Sequence, residues 1–207
     1  MSERRVSDEK AALRRRFRAL RADVPERVGA DAALVARVLA LPEVVAAQTV
    51  LAFWPLLHRG EVDVRPLVAA LQDRGTTVAL PVVVPGEAPR LMARVATGAL
   101  VDGPWGLREP PPDAPEVPPA ALDLVVVPAL ALGRDGSRLG YGGGYYDVFL
   151  ATTPALRVGV VRHAGLVAAL PAEAHDARVD VVVTEHETVR VSGDTEGRVR
   201  NGVTPAP

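Results

Sequence analysis

The segment Arg138-Leu-Gly-Tyr-Gly-Gly-Gly-Tyr-Tyr-Asp147 carries the densest set of chemically useful residues in this 207-residue chain. Four glycines, Gly140, Gly142, Gly143 and Gly144, let backbone N–H groups approach an anion closely. Arg138 can add a charge-assisted bond to a phosphate. Asp147 offers the hard oxygen that Mg²⁺ takes. A helix opening near Tyr145 would put the positive end of its dipole behind the loop. A flexible glycine turn is the plainer reading of the glycines alone. The segment is not a Walker A loop, because no Gly-Lys-Ser/Thr follows. It is not a dinucleotide fingerprint either, since the third glycine of that pattern is absent.

Three other stretches hold groups of the right types. In Phe53-Trp-Pro-Leu-Leu-His-Arg-Gly-Glu-Val-Asp63, Trp54 and Leu56 can line an apolar pocket. Glu61 can accept two N–H donors from a heterocycle; Glu61 and Asp63 can equally cap a following helix. In His175-Asp-Ala-Arg-Val-Asp180, Asp176 is either a second metal ligand or one half of a surface ion pair. His175 by itself is not a metal signal, as no second histidine lies at ligand spacing. In Lys10-Ala-Ala-Leu-Arg14, a helix would place Lys10 and Arg14 on one face, as a phosphate clamp or as a solvated basic stripe. Of the 24 basic residues, only Lys10 is lysine. In a chain so biased toward arginine, a retained lysine marks a position where a compact ammonium matters or has simply persisted.

The elements that must position these groups follow from periodicity. Ser7 can cap a first helix, with Asp8 and Glu9 in its first turn and Leu13, Phe17 and Leu20 as its apolar stripe. Asp23-Val24-Pro25 breaks it, and an Ala-rich helix follows from Glu26 to Leu41, ended by Pro42. Thr49–Phe53 reads as a buried strand, Val64–Asp73 as a helix stopped by Gly75, and Thr76–Leu80 as a strand closed by Pro81. Arg90–Val95 is a further strand, and the proline-rich 98–119 stretch is a long loop. Leu122–Val127, Arg157–Val161 and Val179–Thr184 are strands, Tyr145–Leu150 opens a helix, and a short helix fits 165–170. The sum is an α/β domain of five or six mostly parallel strands with helices on both faces. Residues 1–190 form one domain, and the polar tail 191–207 is expected to be disordered. In such sheets ligands bind outside the carboxyl ends of the strands, here the loops after Phe53, Val127 and Val183.

Composition narrows the classes. The formal charge is -1, so no global field draws the chain to nucleic acid or membrane. An RNA-binding helix built on Arg15, Arg16 and Arg18 lacks aromatic interleaving. There is no cysteine, which excludes disulfides and thiolate sites. No apolar run reaches the roughly 18 residues a membrane helix needs. A cytoplasmic protein is the expectation.

The four stretches in this order resemble the 5-formyltetrahydrofolate cyclo-ligase family. The likeness runs from about Lys10 to Glu187 and is carried by KxxLR at 10–14, FWPLLHRGEVDVRPLV, GPWGLREP at 103–110, RLGYGGGYYD, and LPAEAHDARVDVVVTE at 170–185. The resemblance implies a three-layer α/β/α sandwich with a mostly parallel Rossmann-like sheet, preceded by two N-terminal helices. It implies ATP- and Mg²⁺-dependent conversion of 5-formyltetrahydrofolate to 5,10-methenyltetrahydrofolate, releasing ADP and phosphate, by a monomer. By the same resemblance Lys10 and Arg14 contact ATP phosphates, and Arg138, Leu139, Gly140, Tyr141, Gly142, Gly143, Gly144, Tyr145 and Tyr146 complete the nucleotide site. Lys10 and Arg138 are the expected catalytic cations. Asp147 and Asp176 hold Mg²⁺, while Leu56, Glu61, Trp105, Tyr141 and Tyr145 hold the reduced folate. One departure stands out: Gly133 lies where many relatives carry an acid in Phe-Asp-x-x-Gly-Asn-Arg, with Asp135 close enough to compensate. The alternative is a phosphate- or nucleotide-binding α/β protein of the same fold without the cyclo-ligase activity.

Overall fold

The computed structural model describes residues 3–22 and 27–191. In chain order the helices are α1 (Glu3–Ala22), α2 (Arg27–Leu39), α3 (Pro42–Ala46), α4 (Arg65–Asp73) and α5 (Tyr145–Leu150). The strands are β1 (Thr49–Leu51), β2 (Thr77–Val83), β3 (Leu91–Val95), β4 (Val101–Asp102), β5 (Arg108–Glu109), β6 (Glu116–Val117), β7 (Leu124–Pro128), β8 (Ala131–Gly133), β9 (Arg138–Leu139), β10 (Leu156–Val160), β11 (Leu166–Val167), β12 (Val181–Val183) and β13 (Thr188–Arg190).

The main sheet has eight strands in the order β13-β12-β10-β7-β1-β2-β3-β6. The five central strands, β12 to β2, are parallel; β13 and β3 flank them antiparallel, and β6 pairs antiparallel with β3. Because side chains alternate along a strand, Val50, Val126 and Val158 face one layer while Leu51, Val125 and Val182 face the other. The first layer is covered by Leu34 and Val38 of α2, Val44 of α3, and Leu67 and Leu71 of α4. Phe149 and Leu150 of α5 cover the second. Leu34, Leu67 and Leu71 are fully buried, so truncating any one to alanine would cost about 2–5 kcal/mol. This is the expected α/β layering, although three helices rather than two precede β1. Among the described residues no helix is long and apolar enough to cross a membrane.

Several expectations need correction. The first helix begins at Glu3, so Ser7 is an exposed interior residue and not a cap. Its buried stripe is Val6, Lys10, Phe17 and Arg21, while Leu20 is 40% exposed; the face turned inward carries two cations. Pro42 does not just end α2 but opens α3, where its fixed φ suits the first turn. Strand β2 runs through Pro81 to Val83. Its pairing with β1 stops at Ala79, so Pro81 lies where β2 has one neighbour, β3, and its missing N–H interrupts no second ladder. The 165–170 stretch is not a helix: a 3₁₀ turn at His163–Gly165 leads into β11. The proline-rich stretch is ordered by the β4–β5 hairpin and by β6, which joins the main sheet. Asp23, Val24, Pro25 and Glu26, and the expected tail beyond Val191, lie outside the described residues.

Candidate functional site

The small sheet β11-β8-β9 sits on the carboxyl side of β7 and delivers the glycine loop. Leu130, Ala131, Leu139 and Leu170 pack with Phe17 of α1. That contact brings the cationic stripe of α1 against the loop. Arg14 Nε donates to the Gly140 carbonyl at 3.1 Å, and Arg18 Nη2 donates to the Tyr141 carbonyl at 3.2 Å. A Cβ at Gly140 would lie 2.8 Å from Arg138 Nη1, so this position admits no side chain without displacing the guanidinium. Leu139 is 1% exposed, so its side chain belongs to the core and only its backbone faces the loop.

Lys10 is 4% exposed, and its ammonium donates to Glu173 Oε2 at 2.7 Å and Asp176 Oδ2 at 2.5 Å. Burial alone would lower the Lys10 pKa, but the bonds to Asp176 and Glu173 outweigh it and raise the value. Asp176 also accepts the Glu173 N–H at 2.6 Å. Burial pushes its carboxyl up, but that bond and Lys10 hold it below the ordinary carboxylate value. Arg138, 8% exposed, donates to Asp147 Oδ1 at 2.5 Å, and that oxygen also accepts the Ala177 N–H at 3.1 Å. The two expected metal ligands are thus each paired with one of the two expected catalytic cations, and the Ala177 peptide ties Asp147 to the chain next to Asp176.

The nearest set of metal-type donors among the described residues is Glu173, His175 and Asp176, whose ligand atoms lie within 4.8 Å of one another. Asp147 is not in that set. Two carboxylates beside a glycine loop are the donor chemistry Mg²⁺ accepts alongside phosphate oxygens, so the residues present fit the ion. The Arg138 Nε and the Tyr146 hydroxyl are both buried without a hydrogen-bond partner among the described residues. Burial pushes the Tyr146 phenol well up. These are polar atoms of the loop with bonding capacity left over.

The Glu61 side of the site lies at the carboxyl ends of three adjacent parallel strands. A narrow pocket there is lined by Phe53 after β1, Ala129 and Leu130 after β7, Val161 and Arg162 after β10, and by Glu61, Arg21 and Tyr141. Glu61 is buried and does not cap α4: its Oε2 accepts the Leu56 N–H at 2.7 Å, and its Oε1 accepts the Tyr141 hydroxyl. Asp63, one residue before the Val64 N-cap of α4, accepts the Arg65 N–H at 3.1 Å on its Oδ1 and so satisfies a first-turn donor without being the cap itself. Arg21 Nη1 donates to the Tyr141 hydroxyl at 2.7 Å. Burial, then the Glu61 charge, drives the Tyr141 pKa far above its ordinary value. Leu56 is itself buried and meets Glu61 through its backbone N–H, but it is not among the residues that line the pocket. Trp105 is 58% exposed, outside the residues that line the pocket, with its ring edge-on to Tyr145 at 5.6 Å. It is the one non-glycine with positive φ, 56°, among the described residues, a costly backbone state for an aromatic residue.

The structure therefore brings Lys10, Arg14, Arg138, Asp147 and Asp176 around the glycine loop and Glu61 and Tyr141 to the pocket, whereas Leu56 and Trp105 do not line it. Sequence reasoning missed Glu173, Arg21, Asp31 and Arg162. A signal existed for Arg21, which continues the Lys10–Arg14 helical face, and for Arg162, which directly follows a strand end. The Gly133 departure has a structural counterpart. A Cβ at Gly133 would fall 2.2 Å from Ser137 Oγ and 2.3 Å from Asp135 Oδ1. Asp135 Oδ1 accepts both the N–H (3.1 Å) and the hydroxyl (2.5 Å) of Ser137, whose Oγ accepts the Leu170 N–H at 2.8 Å. The Asp135 carboxylate thus fills the space that an acid at 133 would enter.

Comparison with known proteins places the chain and its fold among relatives. The chain is 35% identical over 178 residues to a 5-formyltetrahydrofolate cyclo-ligase of Escherichia coli, covering 83% of this chain and 96% of that one. It is 35% identical over 184 residues to a protein of the same name from Mycolicibacterium smegmatis, covering 84% and 93%. The NMR structure of Aquifex aeolicus 5,10-methenyltetrahydrofolate synthetase superposes with a TM-score of 0.76 at 28% identity, covering 96% of each chain. A Mycoplasma pneumoniae protein of that name shares the fold, with a TM-score of 0.69 at 20% identity. The family model for 5-formyltetrahydrofolate cyclo-ligases matches residues 6–185, and the chain belongs to that family.

Proposed function

We propose that this chain cyclises 5-formyltetrahydrofolate to 5,10-methenyltetrahydrofolate at the expense of ATP, with the nucleotide on the 138–146 loop and the folate in the Glu61 pocket. The observation that carries this reading is the dual role of Tyr141. It belongs to the glycine loop, yet its hydroxyl donates to Glu61 in the pocket. A γ-phosphate on the loop and a formyl group at the pocket mouth would then be neighbours, which is the proximity phosphoryl transfer needs.

A formamide oxygen is a poor leaving group. In the proposed route it attacks the γ-phosphorus, the bond to ADP breaks, and the formyl carbon becomes electrophilic. The neighbouring folate amine attacks that carbon, loses its proton, and phosphate departs as the ring closes. No protein nucleophile is required. Lys10, Arg14 and Arg138 neutralise phosphate charge, and the loop N–H groups orient it. Glu61 presents a carboxylate to the N–H-rich pterin edge, taking donors in place of the Tyr141 hydroxyl. Leu56, Tyr145 and Trp105 flank the rest of the folate. Asp147 and Asp176 would hold Mg²⁺, which would screen the phosphate oxygens.

The test is an absorbance assay with purified protein, 5-formyltetrahydrofolate, ATP and Mg²⁺. The methenyl product absorbs in the near ultraviolet where the substrate does not. Growth of that band only with both ATP and Mg²⁺ is the expected result. A flat trace from folded protein that still binds ATP would leave a nucleotide-binding protein of the same fold.

A further inference from the structure

We infer that Arg162 and Asp31 form a positioning clamp that fixes the backbone of the Glu61 segment and thereby sets folate affinity; this rests on the reading of Glu61 as the folate carboxylate. Both residues are buried, Arg162 at 4% and Asp31 at 6% exposure. They come from distant parts of the chain: Asp31 from α2, Arg162 from the turn directly after β10. Arg162 Nε and Nη2 each donate to one Asp31 oxygen at 2.7 Å, a bidentate pair. The guanidinium has donors left over, and they go to consecutive carbonyls. Nη1 donates to Gly60 O at 2.8 Å and Nη2 to Glu61 O at 3.1 Å. Asp31 Oδ2 also accepts the Asp63 N–H at 2.9 Å. On the other side, Arg21 Nε donates to Arg59 O at 3.0 Å. Every residue from 59 to 63 except Val62 is therefore gripped through its backbone by a side chain from another element.

A buried ion pair is a weak way to gain stability, since apolar packing of equal volume often does as well. Nor does α2 need one to stay in place: Leu34, Val35 and Val38 already anchor it in the core. What the pair supplies is direction. Arg162 makes four donations, a bidentate pair to a carboxylate and one to each of two successive carbonyls, which is one more than the three N–H groups of an ammonium can make. With the peptide on both sides of Glu61 fixed, its carboxylate is delivered to the pocket already oriented. Arg162 also lines that pocket, but its polar atoms point at protein acceptors. It is a positioning residue, not a substrate contact.

The experiment is steady-state kinetics of the full chain with Arg162→Lys, Asp31→Asn and Glu61→Gln, with thermal melts alongside. Arg162→Lys and Asp31→Asn should each raise the KM for 5-formyltetrahydrofolate about ten-fold or more while the KM for ATP stays within about two-fold. Arg162→Lys should add little in a Glu61→Gln background, because both act through the same carboxylate. Variants that melt earlier but keep both KM values would reduce the pair to a structural role and overturn the clamp, as would equal rises in both KM values. If Glu61→Gln itself leaves the folate KM unchanged, the reading of Glu61 fails and the clamp with it. If Glu61→Gln raises it and neither clamp variant does, the clamp alone is wrong. Should Arg162→Lys not fold, Asp31→Asn, which keeps the shape and one acceptor, decides the question.

Discussion

The hydroxyl of Tyr141 donates to Glu61 across 80 residues of sequence, so the anion-cradling loop and the heterocycle pocket share one hydrogen bond. Burial and the Glu61 charge both disfavour the phenolate. Wild-type protein and Tyr141→Phe should accordingly give the same phenolate absorbance as pH is raised through the ordinary tyrosine value of 10.0. A wild-type curve with one additional phenolate there would show that the hydroxyl is not held by Glu61. The same variant leaves Glu61 Oε1 without its donor and should alter the folate KM before it alters the ATP KM.

The ammonium of Lys10 sits between two carboxylates in a space 4% open to solvent. A guanidinium keeps the charge but not the volume or the point geometry. Lys10→Arg should fold and yet lose on the order of 10²-fold in kcat/KM for ATP, the scale expected when a reacting group is misplaced by about 1 Å. Unchanged kinetics would mean that the lone lysine persisted without a catalytic reason.

At the turn before the loop, Gly133 has no room for a methyl group, because Ser137 and Asp135 already occupy the space. Gly133→Ala should destabilise the chain by about 1–3 kcal/mol, the usual cost of overpacking a closed site. Denaturant melts of the two proteins measure it directly, and an unchanged midpoint would show that the turn relaxes.

A pH dependence of stability follows from Glu43, whose carboxyl accepts two bonds from Arg190 and ties β13 to α3. Those bonds hold the Glu43 pKa below its unfolded value of 4.5. The contribution is therefore fully present above pH 4.5 and is lost as pH falls through the lower, folded value. Arg190 is half exposed, so solvent screening leaves about 0.5 kcal/mol. Arg190→Gln should melt slightly earlier than wild type near neutral pH, and the gap should close in acid. A gap that widens in acid would contradict the assigned sign.

Much of this was legible in the sequence, for identifiable reasons. The β-branched runs around Val50, Val126 and Val182 announce buried parallel strands, and α5 begins at Tyr145 as expected because glycines precede it and aromatics fill its first turn. The glycine loop, Glu61 and Lys10 were visible as types in unusual settings. What periodicity could not show is partnership. Nothing local to Asp31 distinguishes a clamp carboxylate from a solvated one, and nothing near Glu173 says that its partner lies 163 residues away. The α1 stripe misled for a related reason: apolar spacing marks the side that would pack against hydrocarbon, whereas the face of α1 that turns inward meets an acidic turn and a loop of carbonyls, so cations are buried there in place of Leu20.

The margins of the main sheet bear on how the molecule behaves in a crowded solution. One end strand, β6, is two residues long, and the other, β13, is three, with Thr188 and Arg190 exposed on it. Among the described residues neither offers a long run of unpaired backbone to template a neighbouring chain. The fully buried strands β7 and β10 are thereby kept in the interior of the sheet, and only short strands stand at its described borders.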